Sequence, residues 1–272
     1  MIVKIFLINT FIDDLFSGGQ AMVVILRRLG QTHALQALAR ELKAPVTACV
    51  LPYKEGFAVR YFSKAGELDS GGYAALATAK ALYYVGLAPP DQPIRLSGVK
   101  GPVQVRPPSG LDSGLSLILP PAPAQWPSPD WAQGLSESLG QAAVLGFLDG
   151  GSHRLICLDK KPEEILPAAI TALAIPNQLI ISWPQGEDGY GLRGFGPAGE
   201  EAELPVNLDF HAALGSFWSG RLGRNRLRVH HLALRPALMR VEVTAEAVEL
   251  SGRLQIIFKA VPAFSEPEHQ AI

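Results

Sequence analysis

The stretch GELDSGGYAALA, residues 66–77, joins a glycine-rich turn to the start of a helical pattern. Gly71 and Gly72 are typical of a turn, and the alanine-rich run that begins at Tyr73 is typical of a helix buried on all sides. The first turn of a helix carries backbone amides without partners inside the helix, together with the positive end of the helix dipole, so it favours an anion. The stretch therefore predicts a turn and a helix suited to binding a small acid, with Tyr73 at the entrance.

A similar pattern recurs in the second half of the chain. Residues 67–68 (EL) lead to 73–76 (YAAL), and residues 203–204 (EL) lead to 211–214 (HAAL), so that His211 follows Tyr73 by 138 positions (211 − 73). The strand-like VQV at 103–105 returns as VEV at 241–243 with the same offset (241 − 103). Two copies of one α/β unit explain the repeat, although short matches in Ala-rich and Val-rich segments also arise by chance. Two facing helix entrances, at Tyr73 and His211, would form a cleft for a small acid.

The remaining pattern of the first half predicts alternating strands and helices. The two predicted helices run from Thr32 to Lys43 and from Tyr73 to Val85. A proline-rich stretch at 120–129 is interpreted as an interdomain linker. It divides the chain into domains at 1–122 and 130–260, followed by a tail at 261–272. The predicted strands are residues 3–8, 21–26, 46–51, 57–62, 103–105 and 115–119.

Composition excludes several functional classes. The chain of 272 residues has 24 basic and 25 acidic residues, and a net charge of −1 gives no electrostatic reason to expect nucleic acid or a membrane surface as partner. Cys49 and Cys157 lie in apolar runs, which favours buried thiols and a reducing cytoplasm over a disulfide framework. The apolar N-terminus is too short for a signal peptide and is predicted to be the first strand.

No cofactor or metal is expected. Gly18 and Gly19 lack the spacing and the following Lys-Ser or Lys-Thr of a phosphate loop. His230 and His231 are adjacent on a predicted strand, so their side chains point to opposite faces and do not form a metal pair.

Several segments, in their order and spacing, carry a likeness to a known family. Residues 72–77 (GYAALA) are similar to GHATLA, residues 203–211 (ELPVNLDFH) to EDPVTGSAH, residues 15–20 (LFSGGQ) to PFSGNP, residues 59–63 (VRYFS) to RWFTP, and residues 192–197 (LRGFGP) to RVFAP. Together they resemble the PhzF family of phenazine-biosynthesis-like isomerases over nearly the whole chain. The resemblance implies the diaminopimelate epimerase fold, an α/β (α+β) arrangement of two pseudo-symmetric domains, each with a mixed sheet around a central helix. It also implies that the last strand, near 254–260, returns to the first domain.

The sequence departs from the family at the positions that the family uses for chemistry. Val46 stands where the family has its catalytic glutamate, which is thought to shuttle a proton on a cyclohexadiene carboxylic acid. Tyr73 stands in place of a histidine and Leu204 in place of an aspartate, whereas Arg235 keeps the arginine of an RGG segment. A valine cannot transfer a proton, so the family's glutamate-dependent reaction is predicted to be absent.

The candidate site residues follow from these positions, and each has a structural alternative. The phenol of Tyr73 has an ordinary pKa of about 10, so it can act as a hydrogen-bond donor or an acid but not as a base at neutral pH. The structural alternative is that the ring of Tyr73 only fills a pocket. His211 is a candidate base or a buried polar group. The candidate catalytic residues are Tyr73, His211, Glu203 and Asp209. The candidate substrate-binding residues are Gly72, Ala74, Asp69, Asn207 and Arg235. Asp209 and Asn207 could instead cap a helix. Asp69 could form a turn, and Glu203 could lie on the surface at the end of a strand.

Two functions remain open. One is a cofactor-free isomerase-type enzyme of specialised metabolism that acts on a small carboxylic acid with reassigned acid and base groups. The other is a catalytically inactive relative that binds a metabolite or a protein partner. Homodimerisation is expected from the family resemblance.

Overall fold

The computed structural model describes residues 2–28, 30–108, 114–123, 139–149, 153–163, 178–196 and 209–263. The chain divides into two compact units. The first unit comprises Met1–Thr10, Gln20–Leu117 and Leu254–Ile272, and the second comprises Phe11–Gly19 and Ile118–Arg253. The predicted proline-rich linker falls partly outside the described residues, as does most of the predicted tail.

The first unit is a mixed sheet with helices on its two faces. Its sheet has the strand order β16-β1-β2-β3-β4-β6-β7, with β5 paired to β4. Strands β2 and β3 are parallel, as are β4 and β6, whereas β3–β4, β6–β7 and β1–β16 are antiparallel. The elements are β1 Ile2–Thr10, β2 Gly19–Leu26, α1 Thr32–Leu42, β3 Val46–Tyr53, β4 Gly56–Phe62, β5 Glu67–Leu68, α2 Tyr73–Tyr84, β6 Ile94–Gly98, β7 Gly101–Arg106 and β16 Leu254–Ala260.

The two helices of this unit behave as their sequences predict. Helix α1 buries Leu35 and Ala39 against apolar side chains of the sheet, and it ends where Lys43 adopts a left-handed conformation. Helix α2 packs against β1 and β3, and nine of its twelve residues are buried. Small alanine side chains allow this close approach to the strands. The predicted strands of the first half are confirmed, whereas β5 and β6 were not predicted.

The second unit repeats the pairing pattern of the first. Its strand order is β15-β14-β13-β12-β11-β10-β9. Strands β10–β11 and β12–β13 are parallel, and β11–β12 and β13–β14 are antiparallel, which is the same alternation as in β2-β3-β4-β6-β7. Strand β8, Leu115–Leu119, contains the boundary in the chain between the two units. The elements are β9 Val144–Asp149, β10 His153–Leu158, β11 Gln178–Pro184, β12 Gly189–Phe195, α3 Asp209–Leu222, β13 Arg226–His231, β14 Ala237–Val243 and β15 Val248–Gly252.

The helix that follows β12 corresponds to the helix that follows β4 and β5. Helix α2 ends at Tyr84 and α3 ends at Leu222, and these positions differ by the same 138 residues (222 − 84) that separate Tyr73 from His211. Helix α3 packs against β10, β13, β14 and β15. The predicted α+β fold of two pseudo-symmetric units is therefore confirmed.

Two segments belong to the unit that is formed mainly by the other half of the sequence. Strand β16 pairs with β1 in the first unit. The segment Phe11–Gly19 belongs to the second unit, where the Gly18 N–H donates to the Pro236 carbonyl at 2.8 Å and the Leu238 N–H to the Phe11 carbonyl at 3.0 Å. None of the helices in the described ranges is long and apolar enough to cross a membrane.

Candidate functional site

The first unit presents a glycine turn at the N-terminal end of α2. Gly72 is the N-cap residue, and its φ of 46° favours glycine over residues with a side chain. The cap has no side-chain hydrogen bond to the helix, and the first turn contains no acidic residue. Three amides at this helix end already have partners. The Ala74 N–H donates to the Gly71 carbonyl at 2.8 Å, the Ala75 N–H to the Gly72 carbonyl at 3.1 Å, and the Gly72 N–H to Ser70 Oγ at 3.4 Å. The positive end of α2 is thus uncompensated by a carboxylate on its own first turn.

Tyr73, the first residue of α2, is buried and held by its hydroxyl. The hydroxyl donates a hydrogen bond to the Gln20 carbonyl at 3.1 Å, which links α2 to β2. Ala74 beside it is also fully buried, whereas Asp69 is exposed before the turn. The structure therefore brings Gly72, Tyr73 and Ala74 together at one helix end, with Asp69 at its margin.

Val46 opens strand β3 and is completely buried. It pairs with Ala21 across the parallel ladder with β2. Its apolar side chain occupies the position to which the family resemblance assigns a glutamate.

Tyr61, in strand β4, packs its ring against Gly71 of this turn, and sequence reasoning did not select it as a site residue. The side chain is 4% exposed, and the hydroxyl has no hydrogen-bond partner. Burial raises the pKa of Tyr61, so the hydroxyl stays protonated. The sequence did offer one indication, because Tyr61 carries a hydroxyl at a position where the family motif RWFTP has a tryptophan.

His211, in the first turn of α3, is fully buried in the second unit. Its Nδ1 lies 3.3 Å from the hydroxyl of Tyr190, and its Nε2 has no partner. Burial, with a smaller effect from His231, lowers the pKa of His211 to about 3. His231 is buried too, with neither ring nitrogen hydrogen-bonded, and burial lowers its pKa to about 4. Both imidazoles are therefore neutral near pH 7 and are weak proton acceptors.

Arg235 holds the segment Phe11–Gly19 to the rest of the second unit. Its Nε donates to the Gly18 carbonyl at 3.0 Å, and Nη2 donates to the Ser17 carbonyl at 3.3 Å. No hydrogen bond in the described ranges joins Arg235 to His211. The observed geometry makes Arg235 a clamp on the backbone of this segment.

Three candidate residues have no described side chain. Glu203 and Asn207 lie outside the described residues, and so does Leu204. Asp209 begins α3, but its side chain is not described. In the parts of the chain that the structure covers, no group of three or more His, Cys, Asp or Glu residues is arranged to hold a metal ion.

Two units that repeat one mixed-sheet pattern, each with a helix against its sheet, are the fold of PhzF proteins and of the diaminopimelate and proline epimerases. Within that class, the sequence model of the PhzC-PhzF family, described as phenazine biosynthesis-like protein, matches residues 8–265, and the chain belongs to this family.

Relatives and solved structures agree with this assignment. An uncharacterized isomerase of Pseudomonas aeruginosa is 30% identical over 257 residues, which cover 93% of this chain and 96% of the relative. A phenazine biosynthesis PhzC/PhzF protein from Clostridium difficile superposes with a TM-score of 0.80 at 20% identity, covering 96% of this chain and 100% of that one. A hydroxyproline epimerase from Agrobacterium vitis, solved with bound trans-4-hydroxy-L-proline, superposes with a TM-score of 0.56 at 12% identity over 98% of this chain and 94% of that one. The protein is thus an isomerase-like member of the PhzF family.

Proposed function

We propose that this protein binds a small carboxylic acid at the N-terminal end of α2 and does not carry out the glutamate-dependent proton transfer of its family. The observation that carries the proposal is the complete burial of the apolar Val46 in β3, because the family resemblance assigns a glutamate to this position. General acid–base catalysis requires a titratable group within hydrogen-bond reach of the transferred proton, and its loss typically removes about 10²- to 10⁴-fold in rate.

The other described candidates do not replace the missing base near neutral pH. The Tyr73 hydroxyl donates a hydrogen bond to the Gln20 backbone carbonyl. The pKa of His211 is lowered to about 3, so its imidazole is a poor proton acceptor. Both groups are fixed inside their own units, which favours a structural role for them.

The electrostatics of the helix end favours an anionic ligand. Helix α2 has no side-chain cap and no acidic residue in its first turn, so a carboxylate there would interact favourably with the helix dipole. The Agrobacterium vitis epimerase, which shares the fold, was solved with a bound amino acid. We extend that ligand class, a small molecule with a carboxylate, to this chain.

A second candidate function is an isomerase with reassigned acid and base groups. It is favoured by the Pseudomonas aeruginosa relative, which matches nearly the whole chain and is named an isomerase. In this alternative, Tyr73, His211, Glu203 and Asp209 would share the proton chemistry.

Cellular location and assembly belong to the proposal as well. Cys49 and Cys157 are both buried and free, and burial raises the pKa of each thiol, which suits a reducing cytoplasm. We also propose a homodimer, which light scattering on the purified protein tests directly.

One experiment separates binding from catalysis. Wild-type protein is mixed in deuterated buffer with a panel of cyclic and amino carboxylic acids, each beside its neutral carboxamide, and NMR follows proton exchange while a thermal-shift assay follows binding. The expected result is a raised Tm with at least one acid, a smaller shift with its amide, and no exchange. Exchange that is lost in Tyr73→Phe or His211→Ala would instead establish the reassigned enzyme. A panel without any thermal shift or exchange would contradict both functions.

A further inference from the structure

Tyr61 combines burial with an unused hydrogen-bonding group. Its hydroxyl lies inside the first unit without a protein partner, whereas the hydroxyl of Tyr73 in the same unit donates to the Gln20 carbonyl. A buried polar group normally has a partner, because leaving it unpaired is costly. The Tyr61 hydroxyl is therefore a donor that the protein itself does not use and that a bound molecule can accept from.

The ring of Tyr61 is packed directly against the turn that opens α2. A Cβ added to Gly71 would collide with three ring atoms, Cδ1, Cε1 and Cζ. One edge of the ring, from Cδ1 to the hydroxyl-bearing Cζ, therefore lies against Gly71. On the opposite edge, Cε2 would lie 3.7 Å from a Cβ at Gly98. Glycines on both sides leave room for the ring and set its position.

The hydroxyl also lies on the face of the sheet that carries Val46. Tyr61 pairs with Ala48 across the antiparallel ladder of β3 and β4. Val46 precedes Ala48 by two residues, and side chains two apart on a strand share a face. Tyr61, whose ring contacts the turn that opens α2, and the buried Val46 therefore lie on one face of the sheet of the first unit.

We propose that the Tyr61 hydroxyl donates a hydrogen bond to the carboxylate of the ligand bound at the N-terminal end of α2. This inference rests on the proposed function and adds a residue that determines its specificity. The raised pKa of Tyr61 keeps the hydroxyl protonated, so it serves as a donor and not as a base. A donor beside a positive helix end selects an oxyanion over a neutral amide.

The hydroxyl is expected to affect binding and stability in opposite directions. Tyr61→Phe removes a donor to a charged acceptor, which corresponds to roughly a tenfold to hundredfold loss of affinity. The same change removes an unpaired polar atom from the unliganded protein, so its Tm is expected to stay the same or rise. Tyr73→Phe is the matched control, because it deletes a hydroxyl that has a protein partner and should lower the Tm of the unliganded protein.

The test is isothermal titration of wild type, Tyr61→Phe and Tyr73→Phe with benzoate, cyclohexanecarboxylate and L-proline, each beside its carboxamide. Support requires a weaker carboxylate affinity in Tyr61→Phe together with an undiminished Tm. Equal affinity of wild type and Tyr61→Phe for a bound acid overturns the inference and leaves the proposed function intact. A Tm lowered in Tyr61→Phe as much as in Tyr73→Phe also overturns it, because the hydroxyl would then have a protein partner. A wild type that binds none of the acids overturns the proposed function, and the inference with it.

Discussion

The hydroxyl of Tyr73 and the backbone carbonyl of Gln20 lie 3.1 Å apart and form a hydrogen bond between the first residue of α2 and strand β2. The two residues are 53 positions apart in the sequence, and the bond holds the helix end against the sheet. A residue that the family resemblance places at a proton-transfer position thereby makes a structural contact. The consequences of this contact and of its neighbours can be measured.

Tyr73→Phe is expected to lower the free energy of unfolding by about 1 kcal/mol, because the Gln20 carbonyl loses its donor while the packing of the ring is kept. Urea denaturation measures the change as a lower midpoint with an unchanged slope. Tyr53→Phe is the control, since Tyr53 is exposed and its ring contact with Lys54 does not need the hydroxyl. Identical midpoints for wild type and Tyr73→Phe would contradict the role of the bond.

Gly71→Ala is expected to destabilise the protein by about 1–3 kcal/mol, because the added methyl group meets the ring of Tyr61 and forces the turn or the ring to move. Gly66→Ala is the matched control. Gly66 lies in the preceding loop, and an added Cβ there has no heavy atom within 4 Å. Thermal unfolding of the two variants checks the difference, and equal Tm values would show that the Tyr61 ring does not restrict position 71.

Stability is expected to fall as the pH drops from 7 to 5, because two buried histidines must remain neutral in the folded state. The pKa values of His211 and His231 are lowered to about 3 and about 4 from the ordinary 6.5. The unfolded chain therefore binds more protons than the folded chain in this window. The neutral imidazoles contribute fully to the free energy of unfolding above the unfolded-state pKa of 6.5. As the pH falls below it, the free energy of unfolding decreases by up to about 1.4 kcal/mol per pH unit for each histidine.

His231→Phe tests this pH dependence. The variant keeps an aromatic ring of similar size and is expected to show a shallower fall in unfolding free energy between pH 7 and pH 5. His230→Gln is the control, because the adjacent side chain points to the other face of β13 and the variant should follow the wild-type profile. A profile for His231→Phe that matches wild type would rule out His231 as a source of the pH dependence.

Arg235→Gln is expected to loosen the segment Phe11–Gly19, because the guanidinium bonds to the Ser17 and Gly18 carbonyls are lost together. Hydrogen exchange at the Gly18 and Leu238 amides should become at least about tenfold faster, corresponding to about 1.4 kcal/mol of local stability. Arg224→Gln removes an exposed arginine of the same unit and should leave these amides unchanged. Unaltered exchange in Arg235→Gln would exclude the clamp.

Local pattern predicted many of the elements because the relevant information is local. The Ala-rich run after Gly72 forms a buried helix, and the apolar spacing of Leu35, Leu38 and Ala39 forms the packed face of α1. Side-chain periodicity follows directly from backbone geometry, so these elements and the duplicated pattern were predictable. The order and spacing of the motifs, which can also be read directly from the sequence, indicated the family.

Contacts between distant positions were decided by the tertiary structure alone. Arg235 Nε, for example, donates to the carbonyl of Gly18, which lies 217 residues earlier in the sequence. The unpaired hydroxyl of Tyr61 and the lowered pKa of His211 depend on which groups surround them after folding. Sequence by itself determined the helices, many of the strands, the repeat and the family, because each depends on neighbouring residues or on motif order. Tertiary structure decided which polar groups are satisfied and which are available to a ligand, because burial and hydrogen bonding arise only when remote segments pack together.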